Sequence, residues 1–150
     1  MDTKEMLQEV TRRLGVDGFG TGEGGRKELV FDDEVVVVFD DEARRDGIWI
    51  STEIAPLPKE HREAVFRLVL RANAVAADRH GPVATLEGDR IVLQQFLSDA
   101  SWTPESVMER LEGFLNRAES LKNRLSEGVE RGRSQGGMPD DRFWNGMLRP

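Results

Sequence analysis

The sequence predicts an α+β fold: a twisted antiparallel sheet with helices, in the order α-β-β-β-α-β-β-α, followed by a disordered C-terminal tail. Three observations carry that prediction. Runs of β-branched and aromatic residues, Val35 to Phe39 and Ile48 to Ile54, are separated by acidic turns, the pattern of a meander. Two segments, one after Pro58 and one after Thr103, change to the spacing of amphipathic helices. A chain of 150 residues with 38% hydrophobic residues suits one domain with one core.

The elements follow in order. From about Thr3 to Leu14, the residues Met6, Leu7, Val10 and Leu14 recur at helical spacing, and Gly15 supplies a left-handed C-terminal stop. Residues 15–28 are rich in glycine and offer little to bury, so they read as a loop. Leu29-Val30-Phe31 is a short strand and Asp32-Asp33 its turn. Val35 to Phe39 forms the next strand, and residues 40–42 with Asp46-Gly47 bracket the turn before Ile48 to Ile54. Pro56 and Pro58 close the meander.

His61 to Asp78 then repeats apolar residues at Val65, Leu68, Val69, Ala72, Val75 and Ala76, with Phe66 and Leu70 on the remaining girth. That is more apolar surface than one sheet can cover, which calls for a second burial partner such as a dimer mate. Val83 to Leu86 and Arg90 to Leu97 form a hairpin turned at Glu87-Gly88-Asp89. Thr103-Pro104 starts the last helix with a hydroxyl cap and a proline whose missing N–H costs nothing there. Val107, Leu111, Phe114, Leu115, Ala118, Leu121 and Leu125 make its stripe, which fades near Gly128. Residues 1–127 are thus the domain and 128–150 a flexible tail ending in the apolar patch Phe143 to Leu148.

Composition narrows the function. A net charge of -7 argues against a phosphate-binding surface and so against nucleic acid. The absence of cysteine removes disulfides, thiolate zinc sites and a cysteine nucleophile. The N-terminus has no apolar signal core and no window has the length of a membrane helix, so a cytoplasmic protein without membrane insertion is expected.

Catalytic constellations are sparse. Asp32, Asp33 and Glu34, and Asp40, Asp41, Glu42 and Asp46, invite a divalent-metal site, but their spacing does not match a calcium loop, and solvated turn carboxylates are the simpler reading. The Gly18 to Gly22 stretch follows a helix and precedes a strand, the reverse of a dinucleotide fingerprint. His61 and His80 stand at opposite ends of one helix, on the order of 28 Å apart at 1.5 Å per residue, so they share no site. No catalytic residue, metal site or cofactor is expected, and the chain reads as a non-enzyme.

The apolar residues left for a partner are more informative. Along Ile48 to Thr52, Trp49 and Ser51 share one sheet face and Ile48, Ile50 and Thr52 the other, so both faces carry large apolar groups. The valines at 35 to 38 say the same. One face can meet helices of the chain, and the opposite face needs a partner.

The order of elements resembles the class I type III secretion chaperones of the Tir chaperone family. The resemblance runs over most of residues 3–127. It is carried by Leu14-Gly15 at the end of the first helix, Leu29-Val30-Phe31-Asp32-Asp33, Ile54-Ala55-Pro56-Leu57-Pro58, and Leu70-Arg71-Ala72-Asn73. Leu111 to Asn116 and Leu121 to Leu125 extend it through the last helix.

The resemblance implies a homodimer that holds the N-terminal segment of a secreted effector, extended and unfolded, in hydrophobic grooves and keeps it soluble for export. It implies no cofactor and no ATP, and adds the export machinery as a further partner. On this reading Met6, Val10, Leu29, Phe31, Val36, Val38 and Trp49 line the effector grooves. Phe66, Val69, Leu70, Leu86, Ile91 and Leu93 form the dimer interface. The alternatives are an adaptor of the same fold unconnected with export, and a small metal-dependent enzyme using the acidic turns.

Overall fold

The computed structural model describes residues 1–22, 24, 26–41, 46–77 and 81–135. In chain order the elements are α1 (Thr3–Leu14), β1 (Gly20–Thr21), β2 (Lys27–Phe31), β3 (Val35–Asp40), β4 (Gly47–Pro56), α2 (Arg62–Ala77), β5 (Val83–Glu87), β6 (Arg90–Ser98) and α3 (Pro104–Gln135), with a 3-10 turn at Asp99–Ser101. The strands form one antiparallel sheet in the order β1-β2-β3-β4-β6-β5. The α+β class and the predicted order of helices and strands hold. β1 is an addition, laid in register on β2 with Gly20 opposite Glu28 and Thr21 opposite Lys27. The glycine loop also contains an anchor that its composition obscures: the Phe19 ring meets Phe39 edge-on at 5.1 Å.

The chain forms two compact units, Met1–Thr52 with Gln94–Leu115, and Glu53–Leu93 with the chain from Asn116 onward. In the first, α1 is held at both ends. Asp2 and Glu5 form a reciprocal capping box, and Gly15 closes the helix at φ 70°. Met6, Leu7 and Val10 are buried with Leu29, Val37 and Phe39. Arg13 bonds Glu105 at 2.7 Å, tying α1 to the first turn of α3. Glu9 accepts from Arg12 and Arg13, and these two guanidiniums hold its carboxyl down at about 2. The Trp102 indole N–H donates to the Met1 carbonyl at 3.2 Å.

The β2–β3 turn carries Asp32 and Asp33 at φ 53° and 58°, a conformation aspartate tolerates better than most residues. It is closed by the Glu34 N–H donating to the Phe31 carbonyl. Gly47, at the start of β4, is required by a close approach: a Cβ there would lie 2.2 Å from the Leu97 carbonyl oxygen and 2.7 Å from the Phe96 ring. The neighbouring Asp99 N–H to Asp46 carbonyl bond, 2.9 Å, leaves that backbone little room to retreat. Gly47→Ala is therefore expected to cost about 1–3 kcal/mol, the usual penalty of overpacking. Urea denaturation measures it, and an unchanged midpoint would show that the two backbones can part.

In the second unit Ala64, Val65, Leu68 and Ala72 of α2 are buried together with Ile91, Val92 and Leu93 of β6 and Ala118, Leu121 and Leu125 of α3. The Asn73 side chain bonds β5 twice, donating to the Ala84 carbonyl and accepting from the Ala84 N–H, both at 2.8 Å. Arg117 donates to the Ala72 carbonyl at 3.0 Å, and burial, then the nearby Arg124, lowers its pKa. α3 does not fade at Gly128 but runs to Gln135. Glycine costs a helix only about 1 kcal/mol, and a helix already packed through Leu125 can carry one. The rest of the expected tail, with its Phe143 to Leu148 patch, lies outside the described residues, as do His80 and Glu42.

Candidate partner-binding surfaces

Burial along β4 alternates. Ile48, Ile50, Thr52 and Ile54 are buried, whereas Trp49 and Ser51 are only partly covered and Glu53 is exposed. The same alternation runs through β3, where Val37 and Phe39 are buried, Val36 is 40% exposed and Val38 is partly covered. Register then assembles one outer face in the first unit. Val30 lies opposite Val36, Val38 opposite Ser51, and Asp40 opposite Trp49. Trp49 meets the Phe96 ring at 5.2 Å, so β6 contributes to this side as well. Val30, at 58% exposure, is the most open member.

The groove residues expected from sequence divide accordingly. Val36, Val38 and Trp49 come together on the outer face. Phe31 is half-buried and, by strand alternation, on the Leu29 side. Met6, Val10 and Leu29 are 0%, 1% and 7% exposed, so they belong to the interior and present no surface to a partner. Sequence reading missed Val30 and Phe96. Strand parity was the available signal, but it becomes usable only when the register of β2 on β3, and of β6 beside β4, is known.

The two ends of the sheet differ. β1 covers only Lys27 and Glu28, so among the described residues the rest of β2 has no strand neighbour on that side. At the other end, Asn73 occupies both backbone groups of Ala84 on the edge strand β5, so a further strand cannot pair at that residue. Asn73→Ala is expected to cost about 1–3 kcal/mol, because the nearly buried Ala84 backbone loses its partners. It should also promote edge-to-edge association. Denaturation and light scattering together check this; no change in either would remove the edge-closing role.

A second apolar surface lies in the second unit. Leu70 of α2 is 68% exposed, Leu86 of β5 52%, and Phe66 and Val75 of α2 are also open, while Val69 is partly covered. Of the interface residues expected from sequence, Phe66, Val69, Leu70 and Leu86 thus reach the surface. Ile91 and Leu93 do not: both are buried in their own unit.

Among the described residues no group of three or more His, Asp or Glu is arranged to hold a metal ion, and no helix is long and apolar enough to cross a membrane. Asp41, one of the turn carboxylates, is paired with Lys27 at 2.6 Å. His61 sits just before α2 at φ 59°.

Solved structures share the fold. A chain of the ExsC–ExsE complex superposes with a TM-score of 0.66 at 21% identity, over 82% of this chain and 96% of that one. A chain of the HopA1–SchA chaperone–effector complex gives 0.64 at 12% identity, over 80% and 92%. The Yersinia pestis type III secretion chaperone SycH, in complex with a fragment of YscM2, gives 0.57 at 14% identity, over 78% and 97%. No curated protein matches the chain by sequence. Residues 5–122 match the Tir chaperone protein (CesT) family, which takes in α1, the whole sheet and most of α3, and the chain belongs to that family.

Proposed function

We propose that this chain is an effector-binding secretion chaperone. It holds an extended, unfolded segment of a type III effector against the outer sheet face of its first unit, keeping that segment soluble and competent for export. The observation that carries the reading is an apolar face on which Val30 and Val36 are exposed and Val38, Trp49 and Phe96 are only partly covered. A face of this kind on an otherwise well-solvated protein marks a polypeptide-binding surface. Family membership and the chaperone–effector complexes of the same fold support it. A shared fold alone does not fix function; the exposed apolar face is the feature that calls for a polypeptide partner.

Affinity comes from burying this apolar area, less the entropy of ordering the bound segment. Beyond β1, the uncovered stretch of β2 can add backbone hydrogen bonds to an incoming strand, whereas on the β5 edge the Ala84 backbone is already taken by Asn73. Self-association uses the exposed α2 residues Phe66 and Leu70 with Leu86 of β5. No cofactor or ATP enters this mechanism, and delivery of the bound effector brings the chaperone to the export machinery.

Light scattering on the protein alone, and after co-expression with the N-terminal segment of an effector, tests the reading. A dimer of twice 16.9 kDa that takes up one effector segment is expected. A monomer that takes up none would leave an α+β domain acting through some other partner.

A further inference from the structure

We propose that the segment held on this face is cationic as well as apolar: an extended stretch in which an apolar residue has lysine or arginine two positions away on either side. The inference rests on the chaperone reading above and adds the charge pattern of the partner.

Val30 and Val36, the two most exposed apolar residues of the face, lie side by side across β2 and β3. Carboxylates bracket them. Glu28 precedes Val30 by two residues on β2 and so shares its face. Asp32, Asp33 and Glu34 follow in the turn, all exposed. None of these four forms an ion pair among the described residues. Lys27, the cation nearest in sequence among the strand residues, belongs to the opposite alternation and is engaged by Asp41. The chain as a whole carries a net charge of -7, so its wider field also favours a basic partner.

The apolar residues alone would accept any hydrophobic segment. A segment lying beside Val30 also takes water away from the flanking carboxylates, and an unpaired carboxylate resists that. A segment with lysine or arginine at the flanking positions supplies the missing partners, and an acidic one adds repulsion. Discrimination then comes from the difference between the two. The spacing agrees: in an extended chain residues two apart share a face, at about 3.3 Å per residue, so an apolar side chain over Val30 carries its second neighbours toward Glu28 and toward the turn.

The test uses the full chain and fluorescence anisotropy with three labelled synthetic peptides, in which a valine is flanked two positions away on either side by lysine, by glutamate or by serine. The lysine peptide is expected to bind at least about tenfold tighter than the glutamate peptide, and to weaken as salt is raised. The variant carrying Asp32→Asn, Asp33→Asn and Glu34→Gln should lose about tenfold for the lysine peptide, the sum of modest exposed ion pairs, with the serine peptide unchanged.

Equal affinity for all three peptides, or no effect of the triple variant, would overturn the inference. If an effector segment binds while none of the peptides does, the charge pattern fails and the chaperone reading stands. If neither binds, both fail. A second copy of this chain on the face is the remaining occupant. It would show as a fall in mass by light scattering for Val30→Ser with Val36→Ser, and that result also overturns the inference.

Discussion

Phe114→Ala should be the most damaging single truncation in the first unit, costing about 3–5 kcal/mol. Phe114 is fully buried on the α3 stripe, at 0% exposure, and is the bulkiest of the side chains sealed to this degree. Its removal loses the transfer free energy of a whole ring and leaves a cavity that α3 and the sheet can only partly close. Native domains hold only about 5–15 kcal/mol in total, so the variant should be poorly folded at physiological temperature. Phe114→Leu keeps much of the volume and should cost less, on the order of 1–2 kcal/mol. Urea denaturation followed by circular dichroism compares the two. Equal midpoints for wild type and Phe114→Ala would mean that the α3 stripe does not anchor this unit.

The second large effect is on binding. Val36→Asp combined with Trp49→Ala is expected to lower affinity for an effector segment by about 100-fold. Buried aromatic anchors at the centre of an interface commonly contribute 2 kcal/mol or more, about thirtyfold, and an aspartate beside them adds an uncompensated charge. The folded state should suffer much less. Val36 is open to solvent, and Trp49 loses chiefly its contact with Phe96, worth about 0.5–1.5 kcal/mol. Calorimetric titration of the co-purified effector segment measures the loss. Leu70→Asp is the control, because it lies on α2 in the other unit and should weaken self-association while sparing the effector. If Val36→Asp with Trp49→Ala binds as wild type does, the outer face is not the effector site.

Most helical elements could be read directly. α1 occupies Thr3–Leu14 as expected, with Gly15 as its stop, and α3 begins at Pro104 behind the Thr103 cap. These are local matters, decided by capping groups and periodicity within one turn of the helix. The strands were legible as segments for a similar reason, since β-branched runs and acidic turns mark their own boundaries. β1 was not, because two residues carry no period. It is set by pairing with β2 and by the contact of Phe19 with Phe39, a residue twenty positions away. The continuation of α3 beyond Gly128 was missed because composition weighs a glycine at its intrinsic cost, without the packing that precedes it.

The candidate surfaces show the same division more sharply. Alternation along Ile48–Thr52 gives two apolar faces from sequence alone, and Trp49 does lie opposite the buried Ile48 and Ile50. Which face would be covered was not in the strand. Met6, Val10 and Leu29 look like candidates for a groove in one dimension, yet they are spent on the interior. Ile91 and Leu93 were spent in the same way in the second unit. An apolar residue is equally suited to a core and to an interface, because the hydrophobic effect is non-directional and does not distinguish its own chain from a partner.

The sequence by itself therefore determined the class of fold, the number and order of the main elements, the caps and turns, and the presence of more apolar surface than one small domain can bury. Tertiary structure alone decided where that surplus went. Cross-strand register placed Val30 beside Val36, the Phe96 contact extended the face past Trp49, and the Asn73 amide took up the Ala84 backbone at one edge of the sheet. Those outcomes depend on contacts between residues far apart in the chain, and a strand shifted by a single residue would have turned every one of its side chains to the opposite face.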